Sequence, residues 1–122
     1  RNPSIPPGGN MKFDLICLGD HLPDPHTGTH NETQEERHRM WVDLGVHAEN
    51  AGYDGYWLGE HHFSDYILSA PQMLLAAIAT RTRRIRLGTG VSLLPTNDPV
   101  RLAEDFATLG LLRGGRAAET VM

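Results

Sequence analysis

Residues 52–63, Gly52-Tyr53-Asp54-Gly55-Tyr56-Trp57-Leu58-Gly59-Glu60-His61-His62-Phe63, decide how this chain is read. Tyr56, Trp57 and Leu58 form a short aromatic and apolar run between Gly55 and Gly59, the composition of a buried strand. Glu60, His61 and His62 follow at once. In parallel α/β folds ligands gather at the carboxyl ends of strands, so an acid and two imidazoles stand here where reacting groups are usually found. By itself a histidine pair serves equally well to satisfy a loop. The flanking elements decide between the two.

Upstream, Thr33 and Glu36 form a capping box, in which hydroxyl and carboxylate satisfy free amides at a helix start. Trp41, Leu44, Ala48 and Ala51 recur at helical spacing as one apolar stripe, and Gly52 stands just past the end as a left-handed cap. Residues 12–18 predict a first strand, mostly apolar as befits a strand covered on both faces, and Gly19 ends it. The polar loop over residues 20–31 carries His21, His26 and His30, and loops of roughly a dozen residues are more often functional than idle. Residues 1–10, rich in proline and glycine, predict a disordered leader or a cloning remnant, with the domain occupying 11–122.

Downstream, Ser69 and Gln72 suggest a second capping box, with Pro71 in the first turn. The helix over residues 71–81 is apolar nearly all round, so the sheet and something further, such as a partner subunit, must cover it. Residues 85–94 predict a third strand and its exit, where Gly88 and Gly90 imply a close approach to a ligand or neighbouring strand, or a simple bulge. Asp98 offers an N-cap, Pro99 the first helical position, and Leu102, Phe106 and Leu109 one face of a third helix that Gly110 interrupts and Gly114-Gly115 closes. Residues 117–122 offer a fourth strand.

Alternating strands and helices imply right-handed crossovers and a parallel sheet. A doubly wound nucleotide fold wants a glycine turn leading straight into a helix, and residues 91–95 stay extended after Gly88-Thr89-Gly90. A TIM-like (β/α)8 barrel fits better. It needs ~250 residues, so the 122 present supply its N-terminal part, about three βα units and a fourth strand.

Composition bounds the function. With 39% hydrophobic and 21% charged residues and a formal net charge of −4, the chain is of ordinary globular type. Its longest apolar run, residues 73–79, is far short of the ~20 a bilayer requires, and no signal segment opens it, so no membrane partner is expected. Lone Cys17, inside an apolar run, predicts a buried inert thiol and a reducing cytoplasm. Arg81, Arg83, Arg84 and Arg86 cluster, but in an acidic chain they read as a solvated helix end complementing its dipole rather than a nucleic-acid patch. His21, His26, His30, His61, His62 and Glu60 could assemble a zinc or iron centre, yet no short ligand spacing supports one, and no metal is expected. There is no Gly-x-Ser-x-Gly elbow for a serine nucleophile.

Several blocks in register, namely Ala51-Gly52-Tyr53-Asp54, Trp57 through Phe63, Leu87-Gly88-Thr89-Gly90, Leu94 through Arg101, and Leu111 through Arg116, resemble the luciferase-like flavin-dependent monooxygenases. The resemblance covers residues 11–116. It implies a barrel that binds reduced FMN at its carboxyl-terminal mouth and uses O2 to oxygenate an aldehyde or another small organic substrate. His61 falls on the family's catalytic histidine, a general acid or base near the flavin. Gly90 and Val91 fall on a non-proline cis peptide against the isoalloxazine, Leu18, Gly19 and Asp20 line the same mouth, and Glu60 and His62 lie toward the substrate. A flavin reductase would supply reduced cofactor, and homodimers would pair the second and third helices. Two other functions compete: hydride transfer with the deazaflavin F420 on the same fold, and a non-catalytic interaction subunit. The family's later phosphate-binding parts are absent here, Ala117-Ala118-Glu119-Thr120 is a weak fourth strand, and Gly110 replaces a common acidic residue. The segment alone is therefore expected to be inactive.

Overall fold

A computed structural model of the chain describes residues 11–114. The leader over 1–10, the fourth strand over 117–122 and the Gly115 part of the helix stop lie outside the described residues. The elements are β1 (Asp14–Cys17), α1 (Gln34–Ala51), β2 (Gly55–Leu58), α2 (Pro71–Ala79), β3 (Arg86–Thr89) and α3 (Pro99–Leu112). A 3-10 turn, Leu94–Thr96, precedes α3.

The strands are parallel and lie in sequence order, β1-β2-β3, with Asp14 beside Gly55 and Gly55 beside Arg86. Side chains alternate across a strand, and the two faces differ sharply. One face packs Cys17, Tyr56, Leu58 and Leu87 against Trp41 and Ala48 of α1 and Leu75 and Ile78 of α2. The other carries Asp14, Ile16, Trp57 and Arg86. There Asp14 accepts from the Trp57 indole at 2.9 Å and from the Arg86 guanidinium at 2.9 Å. Helices on one side and a strand order equal to the chain order are the barrel arrangement. The described residues are the N-terminal βα units of a TIM-like barrel.

Local signals hold where neighbours in sequence set them. Thr33 and Glu36 cap α1 reciprocally, Gly52 ends it at φ 89°, and Asp98 accepts from the amides of Val100 and Arg101 with Pro99 at the first turn. Gly110 sits inside α3 with open space where a Cβ would be, so its cost is conformational alone, about 1 kcal/mol.

Four expectations are corrected. The first strand is shorter than residues 12–18 and packs on one face only, leaving Ile16 53% exposed. Ala51 is exposed, and Gly45 takes its place on the buried stripe because a Cβ there would lie 3.0 Å from Ile78 and Tyr56. Ser69 and Gln72 do not box α2, whose N-cap is Ala70 without a side-chain bond; Pro71 alone defines that start. Finally, α2 stops at Ala79, so the arginines lie beyond its last turn and answer carboxylates instead of its dipole. Arg81 pairs with Asp43 at 2.7 Å and Arg86 with Asp14.

Glu49, near the end of α1, collects the backbone amides of Arg83, Arg84 and Ile85 at 2.6–2.9 Å through one oxygen. Burial pushes its carboxyl up, but those three amides and the Arg84 charge outweigh burial and hold it below the usual range. A depressed folded value contributes stability above the unfolded pKa and loses it as pH falls through the folded one. Glu49→Gln should thus cost on the order of 1 kcal/mol at neutral pH, and the difference should fade as pH falls through the depressed folded pKa. Urea unfolding at a series of pH values checks this; a difference independent of pH would contradict it.

Candidate functional site

The ladder continues past the paired strands: the Gly59 amide donates to Cys17 O at 2.8 Å and the Gly90 amide to Leu58 O at 2.9 Å. Leu18, Gly59 and Gly90 thereby form the next rung on the open face. Close approach keeps side chains off two of these positions. A Cβ on Gly59 would lie 3.1 Å from His61 Nε2 and 3.2 Å from Leu18 O, and one on Gly90 would lie 2.9 Å from Ile16 Cδ1. The strand mouth is consequently a floor of backbone at these glycines, covered by the His61 ring over Gly59 and the Ile16 side chain over Gly90, with Leu18 and Val91 partly exposed at its margins. The Gly90–Val91 peptide is cis.

His61 is fixed from two directions. Its amide donates to Leu68 O at 2.9 Å, and its ring lies 4.9 Å from that of Tyr66. His62 turns elsewhere, placing Nε2 2.9 Å from Glu60 Oε1. Both histidines stand beyond the end of β2, so separate loop contacts, rather than strand alternation, give the rings different surroundings. Glu60 is 4% exposed, and its carboxylate also accepts from Leu93 N, Thr96 Oγ1 and Asn97 Nδ2. Burial pushes its carboxyl up, but the bonds from His62, Leu93, Thr96 and Asn97 prevail and hold it below the usual range. Expected on the substrate side, Glu60 has both oxygens committed within the protein.

Gly19 adopts φ +80°, where a side chain is strained, and a Cβ would sit 2.5 Å from Leu68 Cβ. Residues 19–21 run antiparallel to 65–67, through Ile67 N to Gly19 O at 2.8 Å and His21 N to Asp65 O at 2.7 Å. This strap joins the exits of β1 and β2. Asp20 is held by Arg37, whose Nη2 lies 2.6 Å from Oδ2 and whose Nε donates to the backbone oxygen at 2.7 Å; Arg37 also reaches Glu32 at 2.8 Å.

The remaining sequence candidates lie apart from the floor. His21 and His30 stack face to face at 4.1 Å beside a recess of about 100 Å³ shared with Asp20, Glu32 and Arg37, and His26 is exposed. Among the described residues no three His, Cys, Asp or Glu side chains gather as a metal would require. Cys17 is buried, and burial pushes its thiol up, away from nucleophile chemistry.

Sequence reading missed Arg37, Tyr66, Leu68, Thr96 and Asn97 as site-building residues. Arg37 did carry a signal. A cation in the first turns of a helix opposes the dipole, so it calls for carboxylate partners, and Asp20 and Glu32 are those partners.

Known proteins resemble this chain in sequence and in fold. A 4-hydroxyprotoasukamycin monooxygenase from Streptomyces nodosus subsp. asukaensis is 42% identical over 80 residues, 63% of this chain and 22% of that protein. The oxygenating constituent of 3,6-diketocamphane monooxygenase from Pseudomonas putida, solved in complex with FMN, shares the fold at TM-score 0.73 and 24% identity over 87% of this chain and 28% of that one. The coenzyme F420-dependent tetrahydromethanopterin reductase of Methanopyrus kandleri superposes at TM-score 0.66 with 25% identity, over 89% of this chain and 26% of that one. The chain thus spans about a quarter of the length of the proteins it matches. The family profile described as luciferase-like monooxygenase matches residues 11–119, nearly the whole sequence and all the described elements. By that match, and by a barrel mouth built from the motifs that first suggested it, the chain belongs to the luciferase-like monooxygenase family.

Proposed function

We propose that this segment belongs to a flavin-dependent monooxygenase that uses reduced FMN and O2 to oxygenate an aldehyde or another small organic substrate. The observation that supports the reading is the pair of glycines, Gly59 and Gly90, side by side at the open strand ends, contributing backbone without side chains of their own, with the His61 imidazole against Gly59. Leu18, Gly19 and Asp20 contact the cofactor from one side of the mouth and Gly90 and Val91 from the other. Reduced flavin, when bound, supplies the electrons that activate oxygen. His61 gives and takes the proton, since an imidazole does both near neutral pH. His62 faces the substrate with Glu60 behind it.

The F420-dependent reductase on the same fold supports a second reading, hydride transfer with a deazaflavin. Titrating the full-length protein with FMN and with F420, each followed by its own absorbance and fluorescence, separates the two. Saturable FMN binding together with flavin-dependent O2 consumption is expected; binding of F420 alone would establish the second reading, and binding of neither would refute both. The 122-residue segment alone should show no turnover, because it spans only part of the barrel. A separate flavin reductase would supply the reduced cofactor. Met73 is 61% exposed on α2 and Leu112 50% exposed at the end of α3, which supports a homodimer through these helices. Light scattering on the same preparation should report twice the monomer mass.

A further inference from the structure

Glu60 brings together two connections that are far apart in sequence. Its Oε1 lies 2.9 Å from each of His62 Nε2, Thr96 Oγ1 and Asn97 Nδ2, and its Oε2 accepts from Leu93 N at 3.0 Å. A carboxylate has about two acceptor sites on each oxygen; three donors crowd onto Oε1 and one reaches Oε2. The far side of the cluster closes on itself: the single Thr96 hydroxyl hydrogen is shared between Glu60 Oε1 and Leu93 O, 2.8 Å away, and the Asn97 amide donates its second hydrogen to Leu93 O at 2.9 Å. Leu93 follows directly on Ser92, whose hydroxyl bonds Thr89 Oγ1 at 2.8 Å beneath the Gly90–Val91 step. With 2% of its side chain exposed, Glu60 offers nothing to a ligand in the mouth.

We propose that Glu60 is a positioning residue whose buried carboxylate clamps the connection after β3 onto the connection after β2, setting the place of the Gly90–Val91 wall and of the His62 ring without touching substrate. The proposal rests on the mouth being the cofactor and substrate site proposed above. Because a carboxylate only accepts, the His62 Nε2 facing it carries the hydrogen, and in the neutral ring Nδ1 is left as an acceptor. The same logic identifies the disruptive substitution. In Glu60→Gln the shape is kept, but an amide N–H2 faces other donors, and at least one buried group loses its partner.

The test uses the full-length protein with FMN as probe, and the variants Glu60→Gln, Asn97→Ala and the two combined. Four quantities are read: backbone hydrogen exchange over residues 90–97 without FMN, the FMN dissociation constant from fluorescence quenching, thermal stability and turnover. Glu60→Gln should speed exchange at the Leu93 amide and its neighbours and weaken FMN binding roughly 10-fold, a lost charge-assisted bond in a buried cluster. Asn97→Ala should reproduce part of both effects, and the double variant should be little worse than Glu60→Gln, as residues of one cluster are not additive. Unchanged exchange in FMN-free Glu60→Gln overturns the clamp. Lower thermal stability and faster exchange with FMN affinity intact would reduce Glu60 to a fold-stabilising role and also overturn the proposal. So would turnover lost in Glu60→Gln alone at unaltered FMN affinity, which would assign direct substrate contact. If the wild type binds no FMN, the reading of the mouth fails, and the clamp is still decided by exchange.

Discussion

His61→Ala in the full-length protein is expected to lower turnover by roughly 10²- to 10⁴-fold, the range for a lost acid–base group, with FMN affinity largely intact. The geometry gives the reason. The imidazole lies over Gly59, which has no room for a side chain of its own, and the Leu68 carbonyl and the Tyr66 ring fix its place. With its main-chain amide bonded and its ring packed on Tyr66, the imidazole is held against Gly59, and alanine removes the proton carrier while leaving Leu18, Gly90 and Val91 in place. His62→Ala should cost less, because that ring is tied to Glu60. Steady-state turnover and FMN titration on both variants decide the matter. Near-normal turnover in His61→Ala with loss in His62→Ala would reverse the roles, and no change in either would make the pair structural.

Trp41→Ala is expected to destabilise the fold by about 3–5 kcal/mol, the cost of emptying a buried aromatic site. Trp41 is 0% exposed, its carbonyl accepts from the Tyr56 hydroxyl at 3.1 Å, and the His38 ring meets its edge at 4.9 Å. The loss should extend to the mouth. The Arg37 guanidinium lies 5.7 Å from the indole centroid while it holds Asp20, so removing the ring frees the residue that fixes the β1 exit. Trp41→Phe keeps most of the volume and an aromatic face and should cost far less. Urea unfolding of both variants gives the comparison. A loss under about 1 kcal/mol for alanine would mean that α1 collapses onto the cavity, and the argument from packing would fail.

The elements of the barrel segment could be read from residues close together in the chain. The Thr33–Glu36 box, the Gly52 cap, Pro71, and Asp98 with Pro99 each act within one helical turn, so sequence alone places those boundaries. The alternation from strand to helix then fixed the parallel class through crossover handedness. Reading failed where the deciding partner was distant. Gly45 replaced Ala51 on the buried stripe because Ile78 and Tyr56 press on it, and neither is a neighbour in α1. The arginines after α2 were assigned to its dipole, whereas Asp43, Glu49 and Asp14 claim their side chains or amides from 34 or more residues away.

The site divides in the same way. Sequence by itself determined that an acid and two histidines leave a strand end, and that glycines stand at the end of the next strand, because composition and punctuation are local properties. Which imidazole lies over the floor, and that the acid is closed off from it, only the tertiary structure decided. Glu60 is satisfied by His62 and by donors 33 to 37 residues away, and the Leu68 carbonyl takes the His61 main-chain amide; a buried polar group takes its role from the partners that replace water around it. Those partners are brought together by strand register and loop packing, which no spacing within residues 52–63 contains.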